Sequence, residues 1–128
     1  MIHLMQRYLG LLMSLLLVGA AHGQSQPGSW PQKPIRWVIP YTPGGLTDSV
    51  TRMVVQKLQE NTGWTIVLDN KPGANSLLGS ELVARAQPDG YTFLTVIAAH
   101  AANATLYAGR TSFDPVKSFT PVSLVGTT

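Results

Sequence analysis

The sequence predicts an α/β domain with a mostly parallel sheet flanked by helices. Two observations carry that reading. Short apolar runs of strand composition alternate with segments of helical period, in the order strand, helix, strand, helix, strand, which implies parallel strands joined by right-handed crossovers. Glycine-bearing turns, Pro43-Gly44-Gly45 and Pro72-Gly73-Ala74, lead from strand ends straight into helix starts.

Ile35–Ile39 reads as the first strand. Val50, Met53, Val54 and Leu58 recur at helical spacing, so a helix is expected from about Thr47 to Thr62. Thr47 is expected as its N-cap, with Asp48 in the first turn and able to pair with Arg52 four residues on. Gly63 suits the left-handed residue that closes such a helix. Trp64–Leu68 reads as a second buried strand, and residues 69–75 as a turn cluster. A second helix is expected over about 76–86 and a third strand over 91–97, rich in β-branched and aromatic residues. Residues 98–104 read as a loop, 103–107 as one short helical turn, 115–120 as irregular and 121–125 as a fourth strand.

The chain has 128 residues, no cysteine and a formal net charge of +3. Structural disulfides and thiolate metal sites are thereby excluded. The basic residues are scattered, so no phosphate-tracking stripe forms and no nucleic-acid partner is expected. His3 and Arg7 precede an uncharged apolar run from Tyr8 to Ala21. That run falls short of the roughly 20 residues a membrane span needs, and small residues follow it. Residues 1–23 therefore read as an export signal and 24–33 as a flexible mature N-terminus. Residues 34–128 read as the folded part.

The stretch Tyr41-Thr42-Pro43-Gly44-Gly45-Leu46-Thr47-Asp48 is the strongest functional candidate. A helix start leaves backbone N–H groups without partners, and the aligned peptide dipoles add positive charge there. Glycines let an anion approach the backbone closely. The competing reading is a plain connecting turn. Enzyme signatures are absent: the loop lacks the Gly-Lys-Ser/Thr ending of a P-loop, and there is no Gly-x-Ser-x-Gly elbow. No His, Asp or Glu group has metal-ligand spacing, so no metal is expected.

Several motifs at fixed spacing carry a resemblance. They are Lys33-Pro34-Ile35-Arg36, Pro43-Gly44-Gly45 with Asp48 and Arg52, Asp69-Asn70-Lys71-Pro72-Gly73-Ala74, Gly79-Ser80-Glu81, Pro88-Asp89-Gly90-Tyr91-Thr92, and Phe119-Thr120-Pro121-Val122. Together they resemble the substrate-binding proteins of tripartite tricarboxylate transporters, the TctC or Bug family of bacterial periplasmic solute receptors. The resemblance implies a two-lobed fold of the type II periplasmic-binding-protein kind. This chain would supply an incomplete first lobe, as a fragment or a truncated product. It implies a monomer in the periplasm that captures a small carboxylate and hands it to membrane permease subunits. The ligand would be a di- or tricarboxylate, an amino acid or an aromatic acid. No catalysis and no cofactor are implied.

Carried over residue by residue, ligand contacts fall on Tyr41, Pro43, Gly44, Gly45, Leu46, Thr47 and Asp48, and on Ala98, Ala99 and His100 after the third strand. Asn75 and Ser76 stand where the family has glycines, so that turn is less permissive. Ala98 and Ala99 supply no hydroxyl where Ser or Thr is frequent, and His100 is a candidate substitute. The alternatives are a non-functional truncated product, with strand edges exposed to aggregation, and a hydrolase-type α/β enzyme.

Overall fold

The structure is a computed structural model that describes residues 28–127. The expected export signal, residues 1–23, and the start of the expected flexible N-terminus lie outside the described residues. β1 (Ile35–Ile39) is the central strand of a three-stranded parallel sheet of order β2-β1-β3, with β2 at Ile66–Asn70 and β3 at Thr92–Leu94. Ile35 lies opposite Ile66 and Ile39 opposite Asn70, while Trp37 lies opposite Phe93.

Alternation along β1 puts Ile35 and Trp37 on one face and Val38 on the other. On the first face α1 (Leu46–Thr62) packs over β1 and β2. Ile35, Val55 and Ile66 form the core there, with Trp37, Leu58, Leu68 and Phe93 packed against it. The Trp37 and Phe93 rings stack at 5.4 Å, and the Trp37 indole N–H donates to Thr95 Oγ1 at 2.7 Å. α2 (Leu77–Ala84) packs on β1 and β3, with Gly79 set against Pro40. α3 (Ala98–Leu106) lies along α2 through bonds from His100 to Ser80 and from Asn103 to Ser76.

Five expectations change, the first being the second strand, which runs over Ile66–Asn70 rather than 64–68. The 98–104 segment is a helix, not a loop: its alanines have the highest helix propensity, although they show no apolar period. β3 ends at Leu94: its pairing with β1 stops at Val38, with a last bond from the Thr95 N–H to the Val38 carbonyl at 3.1 Å, while β1 itself continues to Ile39 beside β2. Residues 121–125 form no strand; no ladder partner lies beside them among the described residues, and Val122 and Leu124 are exposed. Gly45, not Thr47, is the N-cap of α1, and it makes no side-chain cap bond.

At the other end of α1 the sequence reading stands. Gly63 takes φ 71° and its N–H donates to the Gln59 carbonyl at 2.9 Å.

Candidate functional site

From β1 the chain runs to α1 on one face of the sheet, and from β3 it runs to α3, which lies along α2 on the other face. The carboxyl edge between those two strands is therefore the switch point where open α/β sheets bind ligands. The β1–α1 loop and the start of α3 both lie there. The Ile97 N–H donates to the Tyr41 hydroxyl at 3.4 Å, which links the two.

Thr42-Pro43-Gly44-Gly45 is a β-turn. The Gly45 N–H donates to the Thr42 carbonyl at 3.4 Å, and Gly44 has φ 80°. Pro at the second position and positive φ at the third define a type II turn, so Gly44 is required by backbone geometry. Gly45 is different: its φ is −75°, and a Cβ there would meet only the Thr42 oxygen at 3.5 Å.

The turn revises which amides are available. The Gly44 N–H donates to Asp48 Oδ2 at 2.8 Å, and the Gly45 N–H is used within the turn. The next three amides, of Leu46, Thr47 and Asp48, have no acceptor among the described residues; the helix ladder begins with the Ser49 N–H on the Gly45 carbonyl at 2.9 Å. Ala98 and Ala99 open α3 in the same way, before the His100 N–H reaches the Ile97 carbonyl at 2.9 Å.

Asp48 is 2% exposed. It accepts from Arg52 Nε at 2.8 Å, from the Gly44 N–H and from Asn70 Nδ2 at 2.9 Å. The Arg52 guanidinium, then the Gly44 amide and the Asn70 carboxamide, hold its carboxyl far below the usual range. A carboxylate beside an anion site would repel the anion, and the bound Arg52 offsets that charge.

His100 turns into the protein rather than towards solvent. It is 8% exposed and both ring nitrogens are engaged, Nε2 with the Pro115 carbonyl at 2.7 Å and Nδ1 with Ser80 Oγ at 3.2 Å. A carbonyl only accepts, so Nε2 carries the proton. The edge of the ring also meets Phe119 at 5.2 Å. Nor is Ser80 with His100 a nucleophile–base pair that a substrate reaches: Ser80 is fully buried, and a carbonyl rather than a carboxylate stands behind the imidazole.

Sequence reasoning missed two residues. Asn70 reaches from the end of β2 into the first loop, and it does so through a parallel register, level with Ile39, that the sequence does not display. Asn103 is fully buried in α3. It donates to the Asn75 carbonyl at 2.7 Å and accepts from Asn75 Nδ2 at 2.7 Å. Those bonds fix a turn in which Ala74, Asn75 and Ser76 all have positive φ, of 47°, 52° and 74°.

This sheet, with helix starts gathered on its carboxyl edge, is an α/β fold, and the solved structures it is similar to are periplasmic solute-binding proteins. Comparison with known proteins agrees. Residues 50–128 match the profile of the tripartite tricarboxylate transporter family receptor, TctC. The chain is 35% identical over 99 residues to a UPF0065 protein of Pseudomonas sp. strain P51, covering 77% of this chain and 29% of that one. It is 31% identical over 103 residues to BugT of Bordetella pertussis, covering 77% and 30%. Among solved structures it is similar to MatC of Rhodopseudomonas palustris with bound malate. The TM-score is 0.68 at 33% identity, over 75% of this chain and 33% of that one.

The chain belongs to the TctC family of tripartite tricarboxylate transporter receptors. It spans about a third or less of the length of the curated relatives it matches.

Proposed function

We propose that this chain carries the carboxylate-gripping wall of a periplasmic solute receptor. The observation that carries the reading is the set of three amides, of Leu46, Thr47 and Asp48, left without acceptors among the described residues at the β1/β3 edge. They sit at the positive end of a 17-residue helix. One carboxylate accepts from two or three such donors, and each bond is charge-assisted. The start of α3, at Ala98 and Ala99, faces the same edge and supplies further donors. Tyr41 walls the site from the loop side, and Pro43 and Gly44 shape the turn.

Malate in the similar MatC structure supports a small dicarboxylate as the class of ligand. The receptor works outside the cytoplasm and delivers its ligand to membrane permease subunits, as the family description implies. It binds and does not catalyse. The described residues build one wall of a cleft, so the chain by itself binds malate more weakly than about 1 μM.

The test is Leu46→Pro. Leu46 is the first residue of α1 and 72% exposed. Proline is well tolerated at that position of a helix, and the extended Gly45 before it is compatible. The substitution therefore deletes one donor with little structural cost. Calorimetry with malate is expected to show binding by the parent chain and at least about tenfold weaker binding by the variant. Equal affinities would contradict the reading.

A further inference from the structure

We propose that Asn70 is the positioning residue of the anion site, the group that holds the amide-bearing turn against the sheet. The proposal rests on the binding function argued above. Asn70 is the last residue of β2, and its side chain meets three parts of the β1–α1 unit. One Nδ2 hydrogen goes to Asp48 Oδ1 at 2.9 Å and the other to the Tyr41 carbonyl at 3.2 Å, while Oδ1 accepts from Arg52 Nη2 at 3.0 Å.

The chemistry allows one orientation of this amide. A carboxylate and a carbonyl can only accept, and a guanidinium can only donate. Both donors and the acceptor of Asn70 are therefore committed, and few other side chains fill the position. Aspartate would set a second carboxylate against Asp48 and lose the bond to the Tyr41 carbonyl. Threonine has one donor, and glutamine is a methylene too long.

The consequence reaches the site through Asp48. Its carboxylate takes the Gly44 N–H inside the type II turn and the Arg52 guanidinium on α1. Asn70 fixes the carboxylate's other oxygen and, independently, the carbonyl at the root of the loop. The turn is thereby held from two sides, and the Leu46 and Thr47 amides that follow it keep one direction. That is preorganisation of the donors, which lowers the cost of ordering them around a ligand.

The experiment compares the parent chain with Asn70→Ala and Asn70→Asp by amide NMR and hydrogen exchange, with malate as probe. In both variants the Gly44 amide resonance is expected to move. Its exchange protection is expected to fall at least about tenfold, the scale of one hydrogen bond to a charged group. Exchange at Val55, on the buried face of α1, stays unchanged. Malate affinity falls with the Gly44 protection.

An unchanged Gly44 amide in both variants would overturn the proposal. So would a loss matched by an equal loss at Val55, or outright unfolding of both, because those mark a residue that holds the core. Absence of malate binding by the parent chain would refute the binding function, and the Gly44 readout would still decide whether Asn70 positions the loop.

Discussion

Gly79→Ala puts two known effects in opposition. Gly79 lies inside α2, where alanine is the better helix former by about 1 kcal/mol. On propensity alone the variant would be more stable. Packing says otherwise. A Cβ at Gly79 would sit 2.7 Å from Pro40 Cβ, 3.0 Å from the Lys71 carbonyl oxygen and 3.1 Å from Pro40 Cα.

None of those atoms is the end of a flexible side chain. Pro40 follows the central strand directly, and Lys71 is pinned by its N–H on the Ile39 carbonyl at 2.8 Å. Reaching an ordinary contact of 3.4 Å requires α2 to move by about 0.7 Å. Overpacking of this kind costs about 1–3 kcal/mol, and rigid neighbours on both sides favour the upper part of that range. The net expectation is destabilisation by about 1–2 kcal/mol. For a domain near a hundred residues that lowers Tm by roughly 5–15 °C. Thermal melts followed by circular dichroism read this directly. An equal or higher Tm for the variant would refute the packing of α2 on β1.

Asn103→Ala removes the clamp on the positive-φ turn and leaves the Asn75 carboxamide without its partner; urea unfolding is expected to show a loss of about 1–3 kcal/mol. Asp48 has a folded-state pKa held far below its unfolded value of about 3.9, so its contribution is complete above that value and is lost as pH falls below it. Asp69, Asp89 and Asp114 are shifted in the same direction. Potentiometric acid unfolding should therefore consume about one proton less in Asp48→Asn than in the parent chain.

Much of the fold was legible because the strong signals were local. The period of Val50, Met53, Val54 and Leu58 located α1 to within a residue of its start, and Gly63 located its end. The strands were found, but their limits were not, because a strand ends where its pairing with a neighbour ends. β2 runs to Asn70, two residues past the expected stop, since β1 continues beside it to Ile39. Only the end of α3 was anticipated, because Ala98–Ala102 has helix propensity without an amphipathic pattern.

The same division holds at the site. Gly44 and the pairing of Asp48 with Arg52 were readable from short spacings. The capture of the Gly44 amide by Asp48 was not, because side-chain direction at a helix start depends on the whole turn. Asn70 lies 22 residues from Asp48, and His100 lies 20 from Ser80. Such long-range bonds leave no mark on a single sequence.

Titration of isotope-labelled chain with malate, followed amide by amide, tests the central claim most directly. Saturable shifts led by Leu46, Thr47 and Asp48, with Ala98 and Ala99 moving on the same curve, are the expected result. Saturable shifts confined to other parts of the chain, or none at those amides at millimolar malate, would contradict the account.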